Sequence, residues 1–259
     1  MDLGLRGKVA LVTAASKGMG KACAMALAAE GARVAMCART EADLKAAADE
    51  VRTRTGAEVL AVPADVTRAD QVADLVQRVT GAWGGVDILI ANAGGPPRGP
   101  FEEMSDEHWQ AAFEISLLSV VRLVRAVLPS MKARNWGRIL TIQSSSVKQP
   151  IPELLLSNAV RPGTHGLIKT LAGHVGRHNI TVNTLCPGRI LTDRLLSGAK
   201  SAGLPQEEYV RRVGADVPLG RVGTPEEFAS VAVFLASERA SYVTGVALQV
   251  DGGLVRGLL

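Results

Sequence analysis

The chain has 259 residues, 47% of them hydrophobic, enough for one α/β domain whose sheet is covered on both faces. Its formal charge of +4 is spread along the chain, and with aromatics at only 3% it lacks the basic, stacking surface of a nucleic-acid binder. No apolar run approaches the ~18 residues of a membrane helix, the start Met-Asp-Leu-Gly-Leu-Arg lacks the apolar core of a signal peptide, and Cys23, Cys37 and Cys186, without C-x-x-C spacing, read as small core residues in a reducing cytoplasm.

Short β-branched runs alternate with longer alanine-rich amphipathic runs. The pattern predicts strands at Val9–Thr13, Arg33–Cys37, Glu58–Val62, Ile88–Ala91, Arg138–Gln143, Thr181–Leu185 and Val246–Val250. It predicts helices near 18–30, 41–55, 69–82, 105–134, 158–178 and 225–236. Strands that are continuously apolar belong in a parallel sheet buried on both faces. With helices between them, right-handed crossovers follow, and so does a Rossmann-type doubly wound sheet of about seven strands with helices on both faces. No linker or repeat interrupts the pattern, so residues 1–259 read as a single domain. The exception is 193–223, a mixed-polarity segment punctuated by Gly198, Gly203 and Gly214, which reads as a mobile lid.

The first strand runs into Thr13-Ala-Ala-Ser16-Lys17-Gly18-Met19-Gly20, which opens a helix. A tight glycine turn there lets backbone N–H groups and the helix N-terminus meet a pyrophosphate. Further motifs follow in order. Asp65-Val66 follows the third strand and Asn92-Ala93-Gly94 the fourth. Pro187-Gly188-Arg-Ile190-Leu-Thr192 follows the sixth, and Tyr242-Val-Thr-Gly245 and Val250-Asp-Gly-Gly253 come near the end. In this frame, residues 7 to about 253 resemble the short-chain dehydrogenase/reductase family, and within it the 3-oxoacyl-(acyl carrier protein) reductase-like members.

The resemblance implies a dinucleotide held by Thr13, Ser16, Lys17, Gly18, Met19 and Gly20. It places Asp65 and Val66 at the adenine, Asn92, Ala93 and Gly94 along the cofactor, and Pro187, Gly188, Ile190 and Thr192 at the nicotinamide. Ala14 replaces the first glycine of the family turn, a substitution compatible with the turn if φ stays negative. Ala91 replaces an Asn. The second strand ends in Arg39 with no acid before Glu41, so no carboxylate is placed to accept from both ribose hydroxyls. Arg39, with Lys17 approaching from the other side, instead suits a 2′-phosphate, which favours NADP(H) over NAD(H).

At the chemistry end the family carries Tyr-x-x-x-Lys, and this chain reads Ser157-Asn-Ala-Val-Arg161. In the family the phenol donates a proton, the Lys lowers its pKa and holds the nicotinamide ribose, a Ser orients the carbonyl, and an Asn supports a water relay. Only the Ser matches, at Ser144, with Ser145 as the neighbouring register; the Asn position falls at Ser116. An aliphatic alcohol is a far weaker acid than a phenol and shorter, so Ser157 is a poor replacement for the Tyr. Arg161 keeps the charge and can still bond the ribose, but a guanidinium does not share its proton. Pro162 removes a helical N–H and biases Arg161 away from helical backbone, which predicts a displaced Arg161. Lys148, Glu153 and His165 are the other acids within sequence reach. His174 and His178 have i, i+4 spacing without a third ligand, so no metal site is expected.

Three functional readings stay open. One is an NADP(H)-dependent oxidoreductase that reduces a ketone or 3-oxoacyl-like carbonyl, or oxidises the alcohol, with an atypical proton relay. The second is a non-catalytic NADP-binding sensor or assembly partner. The third is a structural oligomer without dinucleotide. Leu154, Leu155, Leu156, Leu191, Leu195 and Leu196 suggest an apolar pocket wall. The resemblance also implies a homotetramer paired through helices near 105–134 and 158–178, where Gly163, Gly166, Ala172, Gly173 and Gly176 would permit close approach, with a second contact through the last helix and strand.

Overall fold

The computed structural model describes residues 1–258. Seven strands form one parallel sheet in the order β3-β2-β1-β4-β5-β6-β7. They are β1 Val9–Thr13, β2 Arg33–Ala38, β3 Val59–Pro63, β4 Ile88–Ala91, β5 Gly137–Ile142, β6 Ile180–Pro187 and β7 Ala247–Val250. Each expected strand is present, with ends shifted by two residues at most. The period of two sorts the side chains. Ala10 and Val12 of β1 join Val34, Met36, Ile88 and Ile90 on one face; Val9 and Leu11 join Ala35, Cys37 and Leu89 on the other. Each buried Val, Leu or Ile contributes about 1.5–3 kcal/mol, so a one-residue slip is heavily disfavoured.

Helices α1 Gly18–Ala29 and α2 Glu41–Thr55 cover the first face, and α3 Ala69–Trp83 the second. The expected 105–134 helix is divided. α4 Asp106–Phe113 passes through one wide π turn, Glu114–Leu118, into α5 Ser119–Ala133. α6 Leu155–Val175 begins three residues earlier than the periodicity suggested. It also runs unbroken through Pro162, against the expected displacement. Pro162 lies two turns inside and on the exposed side, so the helix loses one hydrogen bond there while both flanks stay anchored.

The lid region is more ordered in outline than its composition implied. α7 Asp193–Ala202 is capped by Thr192, whose Oγ1 accepts from the Leu195 N–H at 3.4 Å. Gly203, left-handed at φ 64°, ends it, and α8 Gln206–Ala215 follows. Gly198 is a packing residue, since a Cβ there would run into the Tyr209 ring and hydroxyl. α9 Pro225–Ala236 packs on α1. No described helix is long and apolar enough to cross a membrane.

The strand order reverses between β1 and β4. Loops leaving their carboxyl ends part in opposite directions, and that crevice is where this architecture places ligands. Thr13 ties the two strand ends together: its Oγ1 donates to the Asn92 carbonyl at 2.6 Å and accepts from the Asn92 N–H at 2.9 Å.

Candidate active site

The glycine turn is built from backbone. Gly18 has φ +56°, and a Cβ on Gly20 would collide with the Ala14 carbonyl oxygen. Ala14 itself has φ +47°, so the turn is kept without the negative φ set as its condition: Ala adopts the left-handed conformation, at a cost of about 1 kcal/mol. No side chain caps α1, so its first N–H groups are free to meet an anion. Lys17 does not stand free beside the turn; its Nζ is 3.4 Å from Asp193 at the start of α7, in an exposed pair. Arg39 is exposed after β2 with no acid paired to it among the described residues. Asp65 Oδ1 accepts from the Thr67 N–H and hydroxyl at 2.9 and 2.8 Å, which leaves Oδ2 open. Ser16 and Val66 are half-buried nearby in the chain, at the two loops they were read on.

Above the carboxyl ends of β4, β5 and β6 lies a cavity of about 330 Å³. Met19, Asn92, Ala93 and Gly94 bound it on one side. Pro187, Gly188, Ile190 and Thr192 bound it on another. Ser144, Ser145, Ser157 and Arg161 line its floor. Residues read from separate motifs are thus brought to one place. Leu154 and Leu195 contribute to the wall, whereas Leu156 packs with Ala112 and Val160 in a separate small core, and Leu191 is partly exposed.

That small core explains the aim of α6. Leu156 and Val160, four residues apart, anchor the helix under α4. Ser157 and Arg161, one position on, therefore turn together toward the cavity. Asn158 fixes the preceding loop by accepting from the Ile151 N–H at 3.0 Å and donating to its carbonyl at 2.8 Å. Arg161 is buried and helical. Its Nε donates to Ser157 Oγ at 2.9 Å and its Nη1 to Gln143 Oε1 at 3.1 Å. Ser157 Oγ lies 3.4 Å from Ser146 Oγ. Burial first, then the nearby Arg194 charge, pushes Arg161 down to about 10, so it stays charged at neutral pH. Ser144 Oγ accepts from the Ser146 N–H at 3.1 Å, which leaves the Ser144 hydrogen free to point elsewhere.

Ser116 sits in the π turn, and its Oγ is buried without a partner among the described residues. A second cavity of about 10 Å³, the size of one water molecule, touches Ser116, Asn92, Gln143 and Arg161. The other acids named from sequence are elsewhere: Lys148, Glu153 and His165 do not line the main cavity. His165 Nδ1 is 3.1 Å from Thr184 Oγ1, and burial, then Lys148 and Lys169, lowers its pKa. The three cysteines are buried; burial raises Cys23 and Cys37 to about 12 and Cys186 to about 11. Sequence reasoning missed Gln143, Ser146, Arg98, Arg189 and Arg194. Arg189 lies inside the Pro187–Thr192 run and was skipped as a variable position; nothing local marks the others.

Comparison with known proteins gives consistent matches. A family model described as enoyl-(acyl carrier protein) reductase matches residues 13–255. The chain is 37% identical over 254 residues to the 3-oxoacyl-[acyl-carrier-protein] reductase FabG of Escherichia coli K12, spanning 97% of this chain and 99% of that one. It is 35% identical over 252 residues to the short chain dehydrogenase/reductase astE of Aspergillus oryzae, spanning 96% and 95%. Among solved structures, an L-sorbose reductase from Gluconobacter frateurii complexed with NADPH and L-sorbose superposes with a TM-score of 0.96 at 37% identity, over the whole of both chains. An actinorhodin polyketide ketoreductase with NADPH superposes with a TM-score of 0.93 at 36% identity, over 97% and 98%.

Proposed function

The chain belongs to the short-chain dehydrogenase/reductase family, and from that premise we propose an NADP(H)-dependent oxidoreductase that reduces a ketone or 3-oxoacyl-like carbonyl, or runs the reverse oxidation. The carrying observation is Arg161: buried, charged and aimed into a cavity that the glycine turn and the Pro187–Thr192 run also border. The similar reductases complexed with NADPH support the cofactor.

The residues present fit that cofactor. The uncapped α1 N-terminus and the glycine cradle suit a diphosphate. Arg39, exposed and without a carboxylate partner among the described residues, suits the 2′-phosphate. Lys17 would have to leave Asp193 to help, which costs little for an exposed pair. Asp65 Oδ2 remains available as an acceptor. Arg161 and Ser116 border the inner end, where the orphaned Ser116 hydroxyl suits a bridging water.

When bound, NADPH supplies the hydride for the carbonyl carbon. The Ser144 hydroxyl, its oxygen already engaged by the Ser146 N–H, donates toward the carbonyl oxygen and orients it. The Arg161 charge stabilises the negative charge that develops there. Ser157 holds Arg161 by accepting from Nε, and is a positioning residue, not the acid. No Tyr, His, Lys, Asp or Glu lines the cavity among the described residues. The proton therefore comes from water entering the cavity, and turnover is slow relative to a phenol-bearing site.

The same observation favours a second reading, an NADP-binding protein without turnover. NADPH fluorescence titration, followed by NADPH absorbance with a panel of ketones and 3-oxoacyl thioesters, separates them. Binding with turnover is the expected result; binding without turnover selects the second reading, and absence of binding overturns both.

The reading extends to one domain with a substrate lid near 193–223, in a cytoplasm where three free thiols persist. It extends also to a homotetramer. Gly163, Gly166 and Gly173 lie on the exposed face of α6 and Gly176 just past its end, and at each an added Cβ would meet nothing. Ala172 does not belong with them, since it is buried in the core. β7 is an open sheet edge, and Phe234, Tyr242 and Leu248 beside it are exposed. A monomer mass by light scattering at micromolar concentration overturns the tetramer.

A further inference from the structure

Four arginines, Arg98, Arg161, Arg189 and Arg194, line the 330 Å³ cavity, and no Asp or Glu lines it among the described residues. Arg161 is satisfied by neutral acceptors. Arg194, from α7, reaches only the carbonyls of Gly95 and Pro96, at 3.5 and 3.3 Å. Arg189 Nε is buried without a partner among the described residues. Arg98 stands exposed at the mouth and takes part in no ion pair among the described residues. The flanking carboxylates are engaged: Asp193 by Lys17, and Asp251 by the N–H groups of Gly253 and Val255, both at 2.9 Å.

Bringing like charges into one partly enclosed space is unfavourable without a counter-charge. The crowding registers within the cluster: burial and then Arg98 lower the pKa of Arg194, and burial and then Arg194 lower that of Arg161. Other groups suit the cofactor's own phosphates: Lys17, Arg39 and the uncapped N-terminus of α1, whose Met19 reaches the edge of the cavity. Neither Lys17 nor Arg39 lines this cavity.

We propose that the substrate is an organic anion whose carboxylate or phosphate group is held by Arg98, Arg189 and Arg194. Arg161 remains with the reacting carbonyl. This rests on the reading that the cavity holds that carbonyl. Three guanidiniums, two of them carried on the segment from Arg189 to Arg194 and one on the facing loop, can close around a terminal anion while Ser144 meets the carbonyl. Leu154 and Leu195 add apolar surface to the same cavity, matching a short carbon chain.

The test titrates two matched pairs into the NADPH-loaded protein and reads NADPH fluorescence and heat. One pair is acetoacetate against methyl acetoacetate; the other is dihydroxyacetone phosphate against dihydroxyacetone. The charged member of at least one pair should bind about tenfold or more tightly than its neutral partner, and which pair does so separates carboxylate from phosphate. Arg194→Gln and Arg98→Gln should each erode the preference while NADPH affinity stays within about twofold. Equal affinity within both pairs overturns the inference. So does a preference that survives both substitutions, or anion binding that NADPH displaces, which would put the anion at the cofactor's phosphate positions. If NADPH itself fails to bind, the cofactor reading falls, and the same titrations on the protein alone still decide whether the arginines hold an anion.

Discussion

The turn at Ala14 and the start of α6 at Ser157 both carry residues foreign to the family pattern, yet the consequences differ. At the turn the useful groups are backbone N–H and carbonyl groups. Ala14 takes up φ +47°, the conformation a glycine would supply freely, and the cradle keeps its shape. At α6 the useful groups are side chains. The backbone there is a regular helix, Arg161 points into the cavity, and still no phenol or amine stands where the family has them. Geometry carried by main chain survives a side-chain change at a modest energetic cost. Chemistry carried by a functional group does not survive its replacement, however well the helix is placed.

The largest effect should come from reinstating the missing groups. Ser157→Tyr with Arg161→Lys should raise turnover by about 10²-fold, the lower end of what a positioned general acid contributes. The unbroken helix through Pro162 supports this, since the pair would project from regular backbone. A change in pH profile should accompany it. Arg161 is pushed down only to about 10, and no His, Cys, Tyr, Lys, Asp or Glu lines the cavity among the described residues, so parent turnover should be flat from about pH 6 to 9. The double variant should gain an inflection in that range as the phenol, lowered by the Lys, titrates. Unchanged turnover would show that the arginine cluster or the pocket shape, and not the missing acid, limits the reaction.

A second effect tests whether the cofactor half is as intact as its backbone. Arg39→Asp should weaken NADPH binding by about a hundredfold and leave NADH within a few-fold, because only the 2′-phosphate loses a charge-assisted partner and gains a facing carboxylate. Equal losses, measured by fluorescence titration, would place Arg39 outside the phosphate site.

The same division explains what could be read from sequence. All seven strands were legible because buried parallel strands are continuous apolar runs, and Thr13–Gly20 was legible because a glycine turn leaves its mark in residue type. The π turn at Glu114–Leu118 was not, since the residues around it read as ordinary helix on either side. α7 and α8 were hidden because short helices of mixed polarity, held by contacts such as Tyr209 on Gly198, have weak local signals. Pro162 misled because local propensity was outweighed by anchoring at Leu156, Val160 and Asn158. The Arg98, Arg189 and Arg194 cluster joins a loop after β4 to α7, and such long-range convergence leaves no spacing to read.

A third effect separates two hydroxyls. Ser144→Ala should lower turnover about tenfold by removing the donor that orients the carbonyl. Ser157→Ala should leave turnover within about threefold but lower stability by about 1 kcal/mol, because the Arg161 Nε–H then lacks its acceptor. Denaturant unfolding beside steady-state rates reads both. A larger turnover loss in Ser157→Ala, with NADPH affinity unchanged, would make Ser157 a participant in proton transfer and not an anchor.

The smallest effect bears most directly on the comparison. Ala14→Gly removes a methyl group from a left-handed residue, relieving about 1 kcal/mol of backbone strain. Glycine also gives the unfolded chain more freedom, which takes back roughly 0.4–1 kcal/mol. The two nearly cancel, so the melting temperature should rise by no more than about 2 °C, and NADPH affinity should stay within about twofold. If the turn works through backbone alone, that near-silence is required. A tenfold gain in NADPH affinity would instead mean that the Ala14 methyl obstructs the cofactor. The turn would then be compromised by a side chain after all, and the contrast between its intact geometry and the altered chemistry at Ser157 would collapse.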